Sequence, residues 1–166
     1  MAKLLNGMQE AGVITSYALF GAVAQMRYTE PVATLDADVL IAVPEPERVD
    51  VLSPLYQFCA ALGYSAEGEA IRVGAWPVQF IPVFSPLTRE AMEEAEIADF
   101  EGVRFRVVGA DYLAVIALSV GRAKDYTRIL SLLESVSVSR DAIAALAGRH
   151  GLDEAWRRFV SRFLDE

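Results

Sequence analysis

The chain has a single cysteine, Cys59, and a single histidine, His150, among 166 residues. One cysteine excludes an intrachain disulfide framework and a cysteine-built zinc cluster. Lying in the apolar helical segment 51–62, Cys59 is expected to be a buried core thiol. One histidine leaves little material for a Ser-His-Asp relay or a zinc hydrolase. His150 falls in the stretch 149–151, which reads as a surface turn near a helix C-terminus. Long apolar runs are also missing: none approaches the ~20 residues of a membrane span. Residues 1–13 lack the apolar region and cleavage site of a signal peptide, so a cytoplasmic protein is expected. Positive charge is scarce, with 15 Lys and Arg against 23 Asp and Glu, a net charge of -8. That balance argues against a broad DNA or RNA footprint, which rests on neutralising phosphates with Lys and Arg. What remains is a chain 54% hydrophobic and 23% charged, enough to bury one core.

The most informative stretch is 20–41, FGAVAQMRYTEPVATLDADVLI. A short aromatic and aliphatic strand over 17–20 meets Gly21, which turns the chain into a helix of about two turns over 22–28. Glycine at a strand-to-helix turn lets backbone approach a ligand, and the first helical N–H groups lack intrahelical partners, a natural seat for phosphate. Thr29, Glu30 and Pro31 stop that helix, and Thr34 leads into an acidic strand. On it Leu35, Ala37, Val39, Ile41 and Val43 form one apolar face, while Asp36 and Asp38 share the other with Leu40 and Ala42. Two carboxylates on one face, about 7 Å apart along the backbone, can share Mg²⁺. Phosphate-binding amides and metal-binding carboxylates thus reach the same edge of one sheet.

Gly21, Tyr28, Pro31, Thr34, Asp36 and Asp38, in that order and spacing, resemble the signature of the minimal nucleotidyltransferases, in particular AbiEii-type toxins. The resemblance runs over about 17–128 and ends in 121–125 (GRAKD), similar to a basic-acidic helical motif late in that family. It implies an α+β fold, a mixed sheet flanked by helices, with a helical C-terminal part. It also implies transfer of a nucleoside monophosphate from an NTP to a hydroxyl acceptor with Mg²⁺.

Two positions depart from that pattern. The family has Ser or Gly after the first glycine, where this chain has Ala22. A third carboxylate is expected on a strand beside the acidic one; the matching segment, 78–83 (VQFIPV), carries Gln79 there. A glutamine carbonyl can touch a metal but brings no charge and cannot act as a base. In two-metal phosphoryl transfer one ion holds the triphosphate, and a second activates the attacking hydroxyl. Asp36 and Asp38 suffice for the first ion, and the second needs the third acid. Glu67 and Glu69 are the substitutes to examine.

Arg122, Lys124 and Arg128 fall within two helical turns and form a local basic patch in an acidic chain. Lys124 and Arg128 share a face, and Arg122 and Asp125 are placed to pair. One of these three cations, with Lys124 or Arg122 first in line, would contact nucleotide phosphates or neutralise transition-state charge. The rest reads as scaffold: a helix over 48–62 closed by Gly63, strands over 64–68, 70–73 and 77–83, and a helix over 86–95 capped by Ser85. A hairpin of 97–100 with 103–107 follows, then helices only, over 111–120, 124–135, 141–147 and a last one from 152. The expected division is a core over 1–108 and a helical part over 109–166 packed on it as one unit. In the last helix Leu152, Ala155, Trp156, Phe159, Val160 and Phe163 make an apolar stripe, for core packing or a homodimer contact. Three readings stand: an active Mg²⁺-dependent nucleotidyltransferase, a degenerate one that binds nucleotide or a partner without turnover, and a member of a toxin-antitoxin pair.

Overall fold

The computed structural model describes residues 1–165. Its elements run α1 (Ala2–Glu10), β1 (Ser16–Phe20), α2 (Gly21–Gln25), β2 (Ala37–Ala42), α3 (Ser53–Ala61), β3 (Ser65–Glu67), β4 (Ala70–Val73) and β5 (Trp76–Pro82). They continue with α4 (Pro86–Glu93), β6 (Glu96–Phe100), β7 (Val103–Val107), α5 (Ala110–Val120), α6 (Ala123–Glu134), α7 (Arg140–Arg149) and α8 (Asp153–Phe163). The strands form one mixed sheet in the order β3-β4-β5-β2-β1-β7-β6. β2 is antiparallel to β1 and parallel to β5, and β1 is parallel to β7. This is the expected α+β arrangement, a mixed sheet flanked by helices.

The central strands are covered on both faces, because Ala18 and Leu19 on β1 and Val39, Leu40 and Ile41 on β2 are all buried. The Tyr17 hydroxyl donates to Asn6 Oδ1 at 2.6 Å, which ties α1 to its face of the sheet. Apolar residues nearly all round α5 leave it no solvent face, and Leu113, Ile116 and their neighbours are buried among α4, α6 and α7. Each such leucine or isoleucine contributes about 1.5–3 kcal/mol of burial. Ser85 caps α4 as expected, accepting from the Thr88 N–H at 3.1 Å while Thr88 returns the bond. The stripe on α8 faces inward: Trp156 and Phe159 are buried, and Tyr126, Phe159 and Phe163 form a tilted aromatic cluster. Among the described residues no helix is long and apolar enough to cross a membrane.

Several boundaries differ from the sequence expectation. The helix expected over 48–62 begins only at Ser53, because Asp50 accepts from the Ser53 backbone N–H at 3.0 Å and from its hydroxyl, turning the chain just ahead of it. α2 spans five residues, and the chain tightens at Arg27 and Tyr28, whose N–H groups bond three residues back. The acidic strand starts at Ala37, so Asp36 lies in the bend before it, and Leu35, expected on the apolar face, is 90% exposed. Cys59 is buried as expected, and burial pushes its thiol up to about 11.

Candidate nucleotide and metal site

Gly21 is the pivot of the site. It turns β1 into α2 with φ +64°, a conformation that disfavours any side chain, and a Cβ there would lie 2.2 Å from Asp38 Oδ2. The glycine therefore does two things: it makes the turn and leaves room for the carboxylate. Phe20, the last residue of β1, pairs with Asp38, so the turn and the acid meet at one end of the sheet.

Asp36 reaches the same place from the bend. The Thr34 hydroxyl lies 3.0 Å from the Asp36 carbonyl and 3.3 Å from its Oδ1, so Thr34 orders the bend and spends its donor there. Burial, and then the charge of Asp36, push the Asp38 carboxyl up from its ordinary value, whereas Arg128, Lys124 and Arg122 pull it down. The Asp38 carboxyl thus senses the charge of Asp36 and of the cations on and beside the late basic helix.

The cations of α6 differ in what they are free to do. Arg122 Nε donates to Asp125 Oδ2 at 2.7 Å and its backbone N–H to the same oxygen at 3.1 Å, which closes the start of α6. Asp125 is 1% exposed, so this pairing is a fixed part of the fold. Lys124 is exposed. Arg128 donates its Nε to Gln25 Oε1 at 3.0 Å, linking α6 to α2.

Gln79 stands where the resemblance places the third acid. β2 and β5 are parallel with Asp38 directly opposite Gln79, so the two side chains share a face on adjacent strands. Neither proposed substitute comes near. Glu67 lies on β3, with β4 and β5 between it and β2, and its Oε2 accepts from Arg72 Nη2 at 2.7 Å. Glu69 sits in the turn between β3 and β4, its carbonyl accepting from the Tyr56 hydroxyl at 2.8 Å. Among the described residues no three His, Cys, Asp or Glu side chains gather as a metal-binding group. The donors present, the Asp36 carboxylate from the bend and Asp38 with Gln79 in register on adjacent strands, are hard oxygen ligands of the kind Mg²⁺ takes. Ala22, beside Gly21, adds no hydroxyl.

Two further features escaped sequence reasoning. His150 is not a surface side chain: it is 12% exposed and its Nε2 lies 2.7 Å from Glu90 Oε2. Arg149 and the Tyr112 hydroxyl donate to Glu90 Oε1, and the Arg149 bond leads in holding the Glu90 carboxyl down to about 2. This cluster clasps α4, α5 and α7, away from the aspartates. A concavity of about 660 Å³ opens on the opposite face of the sheet, lined by Leu19, Trp76, Phe105 and Val107, and contains neither acid. Tyr28 is structural, its hydroxyl donating to the Val108 carbonyl at 3.1 Å.

No protein-family model matches the sequence, and no curated protein matches it. Solved structures do. An antigenic nucleotidyltransferase-like protein from Paracoccidioides brasiliensis superposes with a TM-score of 0.57 at 15% identity, over 94% of this chain and 89% of that one. The fold is nucleotidyltransferase-like. The solution structure of the antibiotic-resistance factor ANT(2'')-Ia agrees, with a TM-score of 0.52 at 12% identity over 96% of this chain and 94% of that one.

Proposed function

We propose that this chain binds a nucleoside triphosphate with one Mg²⁺ held by Asp36 and Asp38, on a nucleotidyltransferase-like fold that lacks the equipment for two-metal transfer. The observation that supports this reading is the register of Gln79 opposite Asp38, a neutral amide at the position where the resemblance implies a third carboxylate. The bound ion would supply charge neutralisation of the triphosphate. The protein's own contributions are the glycine turn, which leaves space beside Asp38, the Thr34 hydroxyl, which orients Asp36, and the α6 cations. With one ion holding the triphosphate, no second ion is left to activate an incoming hydroxyl by the two-metal route.

A second reading keeps turnover: transfer of a nucleoside monophosphate to a hydroxyl acceptor, with Asp36, Asp38 and Lys124 in catalytic roles. It is favoured by the cations facing Asp38, which would stabilise charge developing on a transferring phosphoryl group. The AbiEii-type assignment and a toxin-antitoxin role extend either reading; the Gly21-to-Asp38 signature supports them, and a partner protein co-purifying with the chain would be their first sign.

The test has two arms. Thermal unfolding with each NTP, with and without Mg²⁺, should show stabilisation that needs both and is lost in Asp38→Ala. Incubation with labelled NTPs and cell extract should leave no label on any acceptor. Transfer abolished by Asp38→Ala would replace the first reading with the second. No stabilisation by any NTP would remove the first.

A further inference from the structure

Arg128 stands out among the cations of the site. Its side chain is 15% exposed, yet among the described residues the one carboxylate within 4 Å, that of Asp125, is 3.8 Å from Nη1 and is already bound by Arg122. Its Nε is fixed by Gln25, itself buried on α2 four residues after the glycine that touches Asp38. Among the described residues neither Nη1 nor Nη2 has a hydrogen-bond partner, and both remain open to solvent. Burying a guanidinium is costly unless something answers its charge and its donors. Burial accordingly pulls Arg128 below the ordinary arginine value, and Asp38 is among the groups that oppose that shift.

Asp36, Asp38 and Asp125 balance Arg122, Lys124 and Arg128, so the side chains alone sum to no net charge; a divalent cation on the aspartates adds a surplus of positive charge. An anion of high charge density would answer that surplus, and a planar guanidinium with two free nitrogens suits bidentate phosphate contact. Arg122 is engaged by Asp125 and Lys124 is exposed on a flexible stem, so neither is as well prepared.

We infer that Arg128, oriented by Gln25, is the group that grips the polyphosphate of the bound nucleotide, with Gln25 as its positioning residue. The inference rests on the nucleotide-binding reading above. It assigns to a helix-to-helix contact the selection of triphosphate over monophosphate.

Calorimetric titration of the full chain with Mg²⁺ and ATP, GTP, CTP or UTP, their monophosphates, and inorganic triphosphate tests it. For the nucleotide that the wild type prefers, Arg128→Gln should weaken triphosphate and inorganic triphosphate about ten- to hundredfold. The monophosphate should change by less than about threefold, because it lacks the polyphosphate that Arg128 is prepared to meet. Arg128→Lys should recover part of the loss, having the charge but not the fork. Gln25→Leu should show a smaller loss of the same selective kind, which a purely structural α2–α6 contact would not produce. Equal weakening of triphosphate and monophosphate, or no weakening, in both Arg128 variants would overturn this assignment alone. Failure of the wild type to bind any triphosphate would overturn it together with the nucleotide-binding reading.

Discussion

Replacing Gly21 with alanine isolates the constraint on which the site is built. Two penalties act at this position. A φ of +64° costs an L-residue about 1–2 kcal/mol. The new methyl would also lie 2.2 Å from Asp38 Oδ2 and 3.1 Å from Asp38 Cβ. Rotating the carboxylate relieves the first contact but not the second, so a residual overpacking cost of about 1–2 kcal/mol remains. The sum, about 3 kcal/mol, corresponds to a fall of roughly 6–12 °C in Tm for a chain of this size. Gly63→Ala is the control: its φ is +84°, but a Cβ there meets nothing within 4 Å, so only the backbone penalty applies. Thermal and urea unfolding of both variants measures the difference, and nucleotide titration should show that Gly21→Ala has lost Mg²⁺-dependent binding while Gly63→Ala has not. Equal destabilisation of the two, with binding intact in both, would refute the close approach of Gly21 to Asp38.

Asp38→Asn removes a charge that burial and Asp36 both disfavour, so the free protein should melt roughly 1–3 °C higher while Mg²⁺–NTP stabilisation disappears; a lower Tm would show that the α6 cations outweigh those penalties. Gln79→Asp sets a third carboxylate beside Asp38, which should lower stability without metal by about 1 kcal/mol at neutral pH and restore it with Mg²⁺; a metal-independent Tm in that variant would contradict the register. Glu90→Gln should cost about 1 kcal/mol at pH 7, less than a buried charged pair because the side chain is 32% exposed. The Glu90 carboxyl is held down to about 2, so its stabilisation is present above the usual carboxylate range and is lost as pH falls through about 2. Melting curves of wild type and variant should therefore converge in acid, and a gap as wide at pH 2 as at pH 7 would contradict this account.

Much of this was legible in the chain because the signals are local. Alternating residues gave the central strands, Ser85 gave the start of α4, and the glycine between an aromatic strand and a short helix gave the pivot. The acidic pair was found but misplaced by one step: a period-two pattern cannot reveal that the Thr34 hydroxyl bonds Asp36 and bends the chain before the strand begins. Leu35 was placed on the apolar face by the same pattern and is exposed for the same reason. The contacts that escaped are distant in sequence. Glu90 meets His150 across 60 positions, and Arg128 meets Gln25 across 103, and no spacing rule connects such pairs. The identity of Gln79 as the residue beside Asp38 came from the resemblance, and the parallel pairing of β2 with β5 supplied the geometry.

Counting metal ions at the aspartates tests the central claim most directly. Crystals soaked with Mn²⁺, which scatters anomalously, and a non-hydrolysable nucleoside triphosphate should show one ion, bound by Asp36, Asp38 and the phosphates. A second ion beside Gln79, or a triphosphate bound away from both aspartates, would contradict the account.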